Sequence, residues 1–148
     1  MEREEWFEIM AQGPREPLVA LVDRLLEEEG GGEEGEGRLE IIKEPKAAVL
    51  MVRARDTAHG EIFNFGEALV TEAEVRFYGQ TGYMLILGDD QMHALAGAIC
   101  DAALEAGHPD RPAILETLAT MQRYQQEQVA TEWAQVAPTA VAFDEMEA

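Results

Sequence analysis

The sequence contains no serine at all and a single cysteine, Cys100. Without serine there is no Ser–His–Asp triad. One cysteine excludes an internal disulfide and any metal or cluster site built from cysteine alone. Cys100 lies in an apolar segment of helical period, where a lone cysteine is usually a small buried hydrophobic residue. We therefore predict that Cys100 is structural and is not a catalytic thiol.

Basic residues are also scarce: 11 Lys and Arg stand against 30 Asp and Glu in 148 residues, a formal net charge of −19. Because contact with phosphate groups needs clustered cations, we expect neither nucleic acid nor an anionic membrane as a partner. No apolar run approaches the roughly 18 residues of a membrane span, and the first residues lack the regions of a signal peptide. These absences predict a cytoplasmic protein.

The negative charge is concentrated towards the two ends of the sequence. Residues 1–40 hold 13 acidic and 4 basic residues, residues 41–100 hold 8 and 5, and residues 101–148 hold 9 and 2. Acidic flanks of this kind usually form solvated faces that keep a protein soluble. The nearly balanced centre contains five of the eleven cations.

Length and composition indicate one domain, because 148 residues with 47% hydrophobic content can bury a single core. Residues 2–10 and 17–28 predict a helical hairpin within residues 1–29, and the leucines and valines of the second segment recur with helical period. The glycine and glutamate run at residues 30–37 can bury nothing and predicts a linker. Residues 38–148 are expected to form the sheet and the other helices.

Short apolar runs of β-type follow the linker. Five of them are bounded by proline or glycine, at residues 39–43, 47–53, 62–70, 75–78 and 83–87. The segment from Gly79 to Gly82 predicts a turn between antiparallel strands. Residues 47–52 are apolar on both faces, which predicts a central strand covered on both sides.

Two helices are predicted after the sheet. Residues 90–106 and 112–136 carry apolar stripes of helical period, and Gly107 is expected to end the first of them. Gln125 and Gln128 interrupt the second stripe, which indicates a stretch that is less buried or faces a partner.

A last strand is predicted at residues 139–143, after Pro138 ends the long helix. The order of elements, with a hairpin and no regular alternation of strand and helix, favours an α+β fold. We expect a mostly antiparallel sheet of five to six short strands, an N-terminal helical hairpin and two C-terminal helices.

No group of residues has the spacing of a metal or phosphate site. His59, His93 and His108 are far apart, and each is expected to be a surface histidine. Neither common glycine-rich phosphate loop occurs. Asp89 and Asp90 precede a helix, where N-capping explains them better than Mg²⁺ binding. We predict no metal site and no cofactor held by this chain itself.

The centre of the sequence contains one polar stretch of unexplained chemistry, residues 52–67. Arg53 and Arg55 are two apart on a predicted strand, so both project from one face. Paired guanidinium groups can clamp a carboxylate or a phosphate. The alternative is that they pair with acidic residues such as Glu67 or Glu72 and stabilise a turn or a seam between subunits.

The same stretch resembles a known family. Residues 53–57 (RARDT), 63–67 (FNFGE), 69–72 (LVTE) and 87–90 (LGDD) resemble the G subunit of the carbon–phosphorus lyase system, the PhnG family. The length and the order of elements fit as well. The residues of this motif that we take as candidates for anion binding or for an interface are Arg53, Arg55, Asp56, Asn64, Gly66, Glu67, Thr71 and Glu72.

The resemblance implies a role in the use of phosphonates as a phosphorus source. In that system the G, H, I and J subunits form a cytoplasmic core complex, and we expect the I subunit to be the direct partner. The complex displaces adenine from ATP with a phosphonate, which gives a ribose 1-phosphonate 5-triphosphate. ATP is then a substrate of the complex and not a cofactor of this chain.

The nucleosidase chemistry of the family is attributed mainly to the I subunit. This chain has no base–nucleophile pair of its own, so we expect a required subunit that is not catalytic alone, and no catalytic residue is assigned. Apolar residues such as Trp6, Phe7 and Trp133 are expected to be exposed and to serve the interface.

Two segments depart from the family pattern. Family members tend to end with a basic residue and two adjacent aromatic residues in the final strand, whereas Phe143 alone represents them here. The run at residues 30–37 looks like a local insertion.

A second hypothesis is an independent small-anion-binding protein or enzyme that uses Arg53 and Arg55. The net charge of −19 disfavours it, because a negative surface repels ATP unless a partner supplies positive charge.

Overall fold

A computed structural model describes residues 1–28, Gly35 and residues 38–147, with side chains up to Val136. The described residues form four helices and three strands in the order ααβββαα. They are α1 (Arg3–Gln12), α2 (Arg15–Glu28), β1 (Glu40–Arg55), β2 (Ile62–Phe77), β3 (Gln80–Leu87), α3 (Gln91–Ala106) and α4 (Arg111–Glu147). The α+β class, the two N-terminal helices and the two helices after the sheet are confirmed. The N-terminal helices do not form the expected hairpin, because α1 and α2 each pack on α3 and not on one another. The linker predicted at residues 30–37 lies, apart from Gly35, outside the described residues.

The sheet has three long strands, so the prediction of five to six short strands is wrong. β1, which begins at Glu40, joins the runs predicted at residues 39–43 and 47–53 in one strand, and a register shift between Lys43 and Lys46 accommodates Pro45. Proline is tolerated on an edge strand at such an irregularity because no ladder hydrogen bond is lost there. In the same way β2 joins the runs predicted at residues 62–70 and 75–78 in one continuous strand, which ends at Phe77.

All strand pairs are antiparallel, and the strand order is β1-β2-β3. The predicted antiparallel hairpin is confirmed, but its turn lies at Tyr78 and Gly79, since β2 ends at Phe77 and β3 begins at Gln80. Gly82, predicted to end the turn, lies within β3 opposite Val75. The prediction of a covered central strand at residues 47–52 is wrong, because β1 lies at the edge. Val49 to Val52 are 42–61% exposed, since the helices cover only the part of the sheet nearest to β3.

The last predicted strand, at residues 139–143, is also wrong. These residues continue α4, which passes through Pro138 and ends at Glu147. Alternation of apolar residues over so short a run does not distinguish strand from helix, and alanines at positions 137, 140 and 142 favour the helix.

The core lies between one face of the sheet and the helices. α3 packs across β2 and β3, α1 and α2 pack on α3, and the first turns of α4 close the end. The largest fully buried side chains are Phe77, Met10, Leu18, Leu25, Met84, Ile99, Ile114 and Leu118. Within the described residues, no helix is both long and apolar enough to cross a lipid bilayer.

The ends of α3 follow the sequence prediction. Asp90 caps its first turn, with its carboxylate accepting from the His93 N–H at 3.1 Å. Gly107 ends it in the left-handed conformation (φ 66°), and its N–H donates to the carbonyls of Ala103 and Leu104. Glycine adopts this conformation without the steric penalty that other residues incur.

Candidate functional site on the β1–β2 arm

The β1–β2 hairpin extends past the rest of the protein as a two-stranded ribbon. β3 pairs with β2 only from Val70 to Phe77. Beyond that point β1 and β2 pair only with each other, from Val49 opposite Leu69 to Arg55 opposite Ile62. We call residues 49–69 the arm; none of these residues is buried.

The arm is apolar on both faces and open to solvent. Its large apolar residues are 42–75% exposed: Val49, Leu50, Met51, Val52, Ile62, Phe63, Phe65 and Leu69. A two-stranded ribbon is at best marginally stable in water, and contiguous exposed apolar surface marks an interaction site. The arm therefore has the character of a surface that becomes buried in a partner.

A β-bulge interrupts the arm at Phe65. Val52 pairs with Gly66 and Arg53 pairs with Asn64, which leaves Phe65 as the extra residue on β2. Phe65 is 75% exposed, and a Cβ at Gly66 would meet nothing within 4 Å. Bulges turn a strand locally and redirect a side chain, and the extra residue here is an exposed aromatic one.

The tip of the arm is organised by Asp56. Its backbone N–H donates to the Glu61 carbonyl at 2.7 Å, its carbonyl accepts from the Gly60 N–H at 2.7 Å, and its Oδ1 accepts from the Ala58 N–H at 2.8 Å. The carboxylate of Asp56 is thus held in an Asx-type turn.

Arg53 and Arg55 lie on one face of the arm. Strand alternation places Asn64, opposite Arg53, and Glu67, opposite Met51, on that same face. Among the described residues no ion pair within 4 Å involves either arginine. Both arginines are exposed, and their guanidinium groups can bind an anionic group that is not among the described residues.

Thr71 and Glu72 lie at the base of the arm, in the body of the protein. The buried hydroxyl of Thr71 donates to the Gly88 carbonyl at 2.6 Å and accepts from the Asp90 N–H at 3.1 Å, which ties β2 to the start of α3. Glu72 accepts from the Tyr83 hydroxyl at 2.9 Å, and Lys43 Nζ lies 3.6 Å from it. These two side chains hold the sheet in place and do not converge with the arginines.

Strand alternation connects the arm to the core. From Glu67 through Leu69 to Thr71 and Val75, every second residue of β2 lies on the face that α3 covers farther along. The face that presents the two arginines is therefore the uncovered continuation of the helix-covered face.

Two of the histidines predicted at the surface, His93 and His108, are buried. His93 is 8% exposed, with Nε2 2.7 Å from the Met10 carbonyl oxygen. His108 is 3% exposed, its Nδ1 accepts from the Asp110 N–H at 2.9 Å, and its ring contacts Phe77. The surface prediction for both is wrong because neighbouring elements cover them, α1 in the case of His93. His59, at the tip of the arm, is exposed as predicted.

Cys100 is buried in the core and Asp90 caps α3, as predicted. Cys100 is fully buried, and burial raises the pKa of its thiol to about 12. Partial desolvation alone would raise the pKa of Asp90. The His93 N–H and the Arg15 guanidinium at 3.2 Å outweigh that effect and hold the pKa of this carboxyl below its usual range. The described residues include no group of three His, Cys, Asp or Glu side chains placed to bind a metal.

Sequence reasoning missed the buried carboxylate of Asp101. It accepts from the Arg3 guanidinium at 2.8 Å, from the Trp6 indole N–H at 2.8 Å and from the Tyr83 N–H at 3.0 Å. The hydrogen bond to Asp101 raises the pKa of Arg3. The available signal was one acidic residue inside the apolar run of residues 98–104.

The apolar residues expected at an interface divide into three cases. Trp6 is only 4% exposed, so its predicted exposure is wrong, because the bond to Asp101 holds it in the core. Phe7 is partly buried and stacks on Tyr83 at 6.3 Å between ring centroids. Trp133 is 67% exposed, as expected.

Comparison with known proteins agrees with the motif on the arm. The family model described as phosphonate metabolism protein PhnG matches residues 1–147. The alpha-D-ribose 1-methylphosphonate 5-triphosphate synthase subunit PhnG of Rhizobium meliloti (strain 1021) is 36% identical over 66 residues, which cover 44% of this chain and 42% of that protein. The chain belongs to the PhnG family of phosphonate metabolism proteins.

Proposed function

We propose that this protein is the G subunit of a cytoplasmic carbon–phosphorus lyase core complex in phosphonate catabolism. The complex displaces adenine from ATP with a phosphonate and forms a ribose 1-phosphonate 5-triphosphate. The partners are the H, I and J subunits, with the I subunit in direct contact. The relative from Rhizobium meliloti, whose name is that of a synthase subunit, supports this role.

The single observation that carries the proposal is the arm. A monomeric protein rarely exposes eight large apolar side chains on a two-stranded ribbon. Two of the four segments that resemble the family, residues 53–57 and 63–67, lie on the arm, and Arg53 and Asn64 of these segments are cross-strand partners. Both facts fit a protein whose main task is to insert the arm into another subunit.

The two arginines give the arm a chemical role within the complex. Their guanidinium groups have no carboxylate partner among the described residues, and burying them requires an anion. A carboxylate of the partner or a phosphate of the triphosphate substrate meets that need. Because the whole chain has a net charge of −19, we expect other subunits to supply the remaining positive charge around a triphosphate.

Co-expression of this chain with the H, I and J subunits tests the proposal. We expect the four chains to elute together in size-exclusion chromatography, and this chain with the I subunit alone to form a stable pair. Separate elution of this chain in both experiments would overturn the subunit role.

The second candidate function is a small-anion-binding protein that acts alone, and the open arginine pair is the observation in its favour. It requires the isolated chain to bind ATP or a phosphonate in calorimetry, and Arg53→Ala to weaken that binding by about tenfold or more. We expect no heat of binding with either ligand, since the partner's cations are missing.

A further inference from the structure

The apolar stripe of α4 continues past the part of the helix that packs on the body. Ile114 and Met121 near the start of α4 are buried in the core. The same spacing of three and four residues continues to Val129, Trp133 and Val136, which are 53–67% exposed. An amphipathic helix whose apolar face is uncovered is suited to bind a further element.

A groove of about 610 Å³ lies along this exposed stripe, between α1 and α4. Ile9 of α1 and Val129, Ala130 and Trp133 of α4 supply its apolar lining. Gln125 joins the two walls, since its Nε2 donates to the Ile9 carbonyl at 3.1 Å. The polar residue that interrupts the stripe in the sequence is therefore the point where α1 crosses α4.

The polar lining of the groove is negative. Glu5 and Glu8 line it from α1, the other polar residues that line it are glutamines, and no lysine or arginine is among its described lining. Arg3, the one cation of α1, is held by Asp101 at 2.8 Å. A second copy of the chain would bring two further carboxylates and a charge of −19 to the same face, which opposes self-association.

We propose that the groove between α1 and α4 binds an amphipathic helix of another protein, with lysine or arginine beside its apolar face. Its apolar residues, spaced three and four apart, would contact Val129 and Trp133, and its cations would face Glu5 and Glu8. Helix-in-groove binding of this kind uses side chains at i, i+3, i+4 and i+7. The proposal deepens the subunit role by stating the chemistry of a partner element, and it rests on a surface separate from the arm.

Two designed helical peptides test the proposal with the full chain. Both are roughly 18 residues long, with leucine at positions 1, 4, 5, 8, 11, 12 and 15 and either lysine or glutamate at the polar positions. In fluorescence anisotropy at physiological salt, we expect the lysine peptide to bind at least about tenfold more tightly than the glutamate peptide.

Variants then assign the binding to the groove. We expect Trp133→Ala to weaken the lysine peptide by about tenfold or more, and Glu5→Gln with Glu8→Gln by about threefold or more, with a weaker salt dependence. Tyr124→Ala is the matched control, because Tyr124 is an aromatic residue of the same helix, is 56% exposed and does not line the groove. Circular dichroism establishes that each variant is folded.

Two results would overturn the proposal. Equal binding to the Trp133→Ala and Tyr124→Ala variants would mean that the peptide adheres through net charge alone. Dimers in sedimentation velocity that Trp133→Glu dissolves would mean that a second copy occupies the groove. Loss of the complex in arm variants that still bind the lysine peptide would concern the arm and leave the groove assignment standing.

Discussion

The indole N–H of Trp6 donates to the Oδ1 of Asp101 at 2.8 Å, in the interior of the protein. This bond joins α1 to α3, and the same carboxylate accepts from Arg3 of α1 and from the backbone of Tyr83 in β3. A buried carboxylate is tolerated only when such donors replace its water. The Asp101 side chain thus holds α1 against α3 and β3. Because α1 supplies one wall of the groove, the same bonds position that wall.

Replacing Asp101 with alanine should destabilise the isolated chain by about 3 kcal/mol, because the indole N–H of Trp6 and the amide of Tyr83 lose their acceptor. Urea denaturation followed by circular dichroism measures this loss. Glu105→Gln is the control, since Glu105 lies 3.8 Å from Arg3 near the surface and should change stability little. A change below about 1 kcal/mol for Asp101→Ala would contradict this account of the contact.

Gly82→Ala should destabilise the chain by about 2 kcal/mol, since β3 approaches α3 too closely for a side chain there. A Cβ at Gly82 would overlap the Ala98 carbonyl oxygen and lie 2.6 Å from the Ala102 nitrogen, both backbone atoms that cannot turn aside. Gly66→Ala is the matched control, because a Cβ there meets nothing within 4 Å. Thermal unfolding of the two variants should separate them clearly, and equal midpoints would refute the close approach.

Tyr83 should remain protonated well into the alkaline range. Partial burial and the hydrogen bond to Glu72 raise the pKa of its phenol to about 12, from an ordinary value of 10.0. The stability that this phenol contributes is therefore fully present below pH 10 and is lost as the pH rises through about 12. The difference in phenolate absorbance between the wild type and Tyr83→Phe measures this titration. Glu72→Gln should lower the pKa, and a midpoint near 10 in the wild type would disprove the prediction.

Cys100 should be inert in the folded protein. Burial raises the pKa of its thiol to about 12, and the side chain is fully enclosed, so neither thiolate nor access is available to a reagent. A chromogenic thiol reagent should label nothing under native conditions and one thiol per chain after denaturant is added. Rapid labelling of the native chain would show that α3 is not packed as described.

Local signals in the sequence predicted the parts of the fold that depend on neighbouring residues. The α2 stripe, the cap at Asp90 and the helix end at Gly107 each depend on a few adjacent side chains, and each is confirmed. The hairpin between β2 and β3 is confirmed as well, although its turn begins one residue earlier than predicted, at Tyr78. Local sequence alone determines these features, without contacts to distant parts of the chain.

The features that were missed depend on elements distant in sequence. The apolar run at residues 47–52 predicted a buried strand, whereas the helices stop short of it and leave the arm open. Polar character predicted His93 at the surface, yet α1 covers it. Apolar character predicted exposure of Trp6 at an interface, yet Asp101 holds it in the core.

The candidate site was likewise predicted only where neighbouring residues decide the outcome. Their spacing of two predicted that Arg53 and Arg55 share one face of a strand, and the observed strand pairing is consistent with this. Thr71 and Glu72 lie outside the arm because they bond to Asp90, at the start of α3, and to Tyr83 of β3. Contacts between residues so far apart cannot be read from the sequence.

The central claim is that the arm binds the I subunit, and mutation of the arm tests it most directly. The double variant Phe63→Glu and Phe65→Glu places charge on two aromatic residues that are 47% and 75% exposed, so the isolated chain should still fold. Met92→Glu, at a 55% exposed apolar residue outside the arm, is the matched control. We predict that the double variant no longer copurifies with the I subunit, while the control copurifies like the wild type. Copurification of the double variant at the wild-type level would contradict the account.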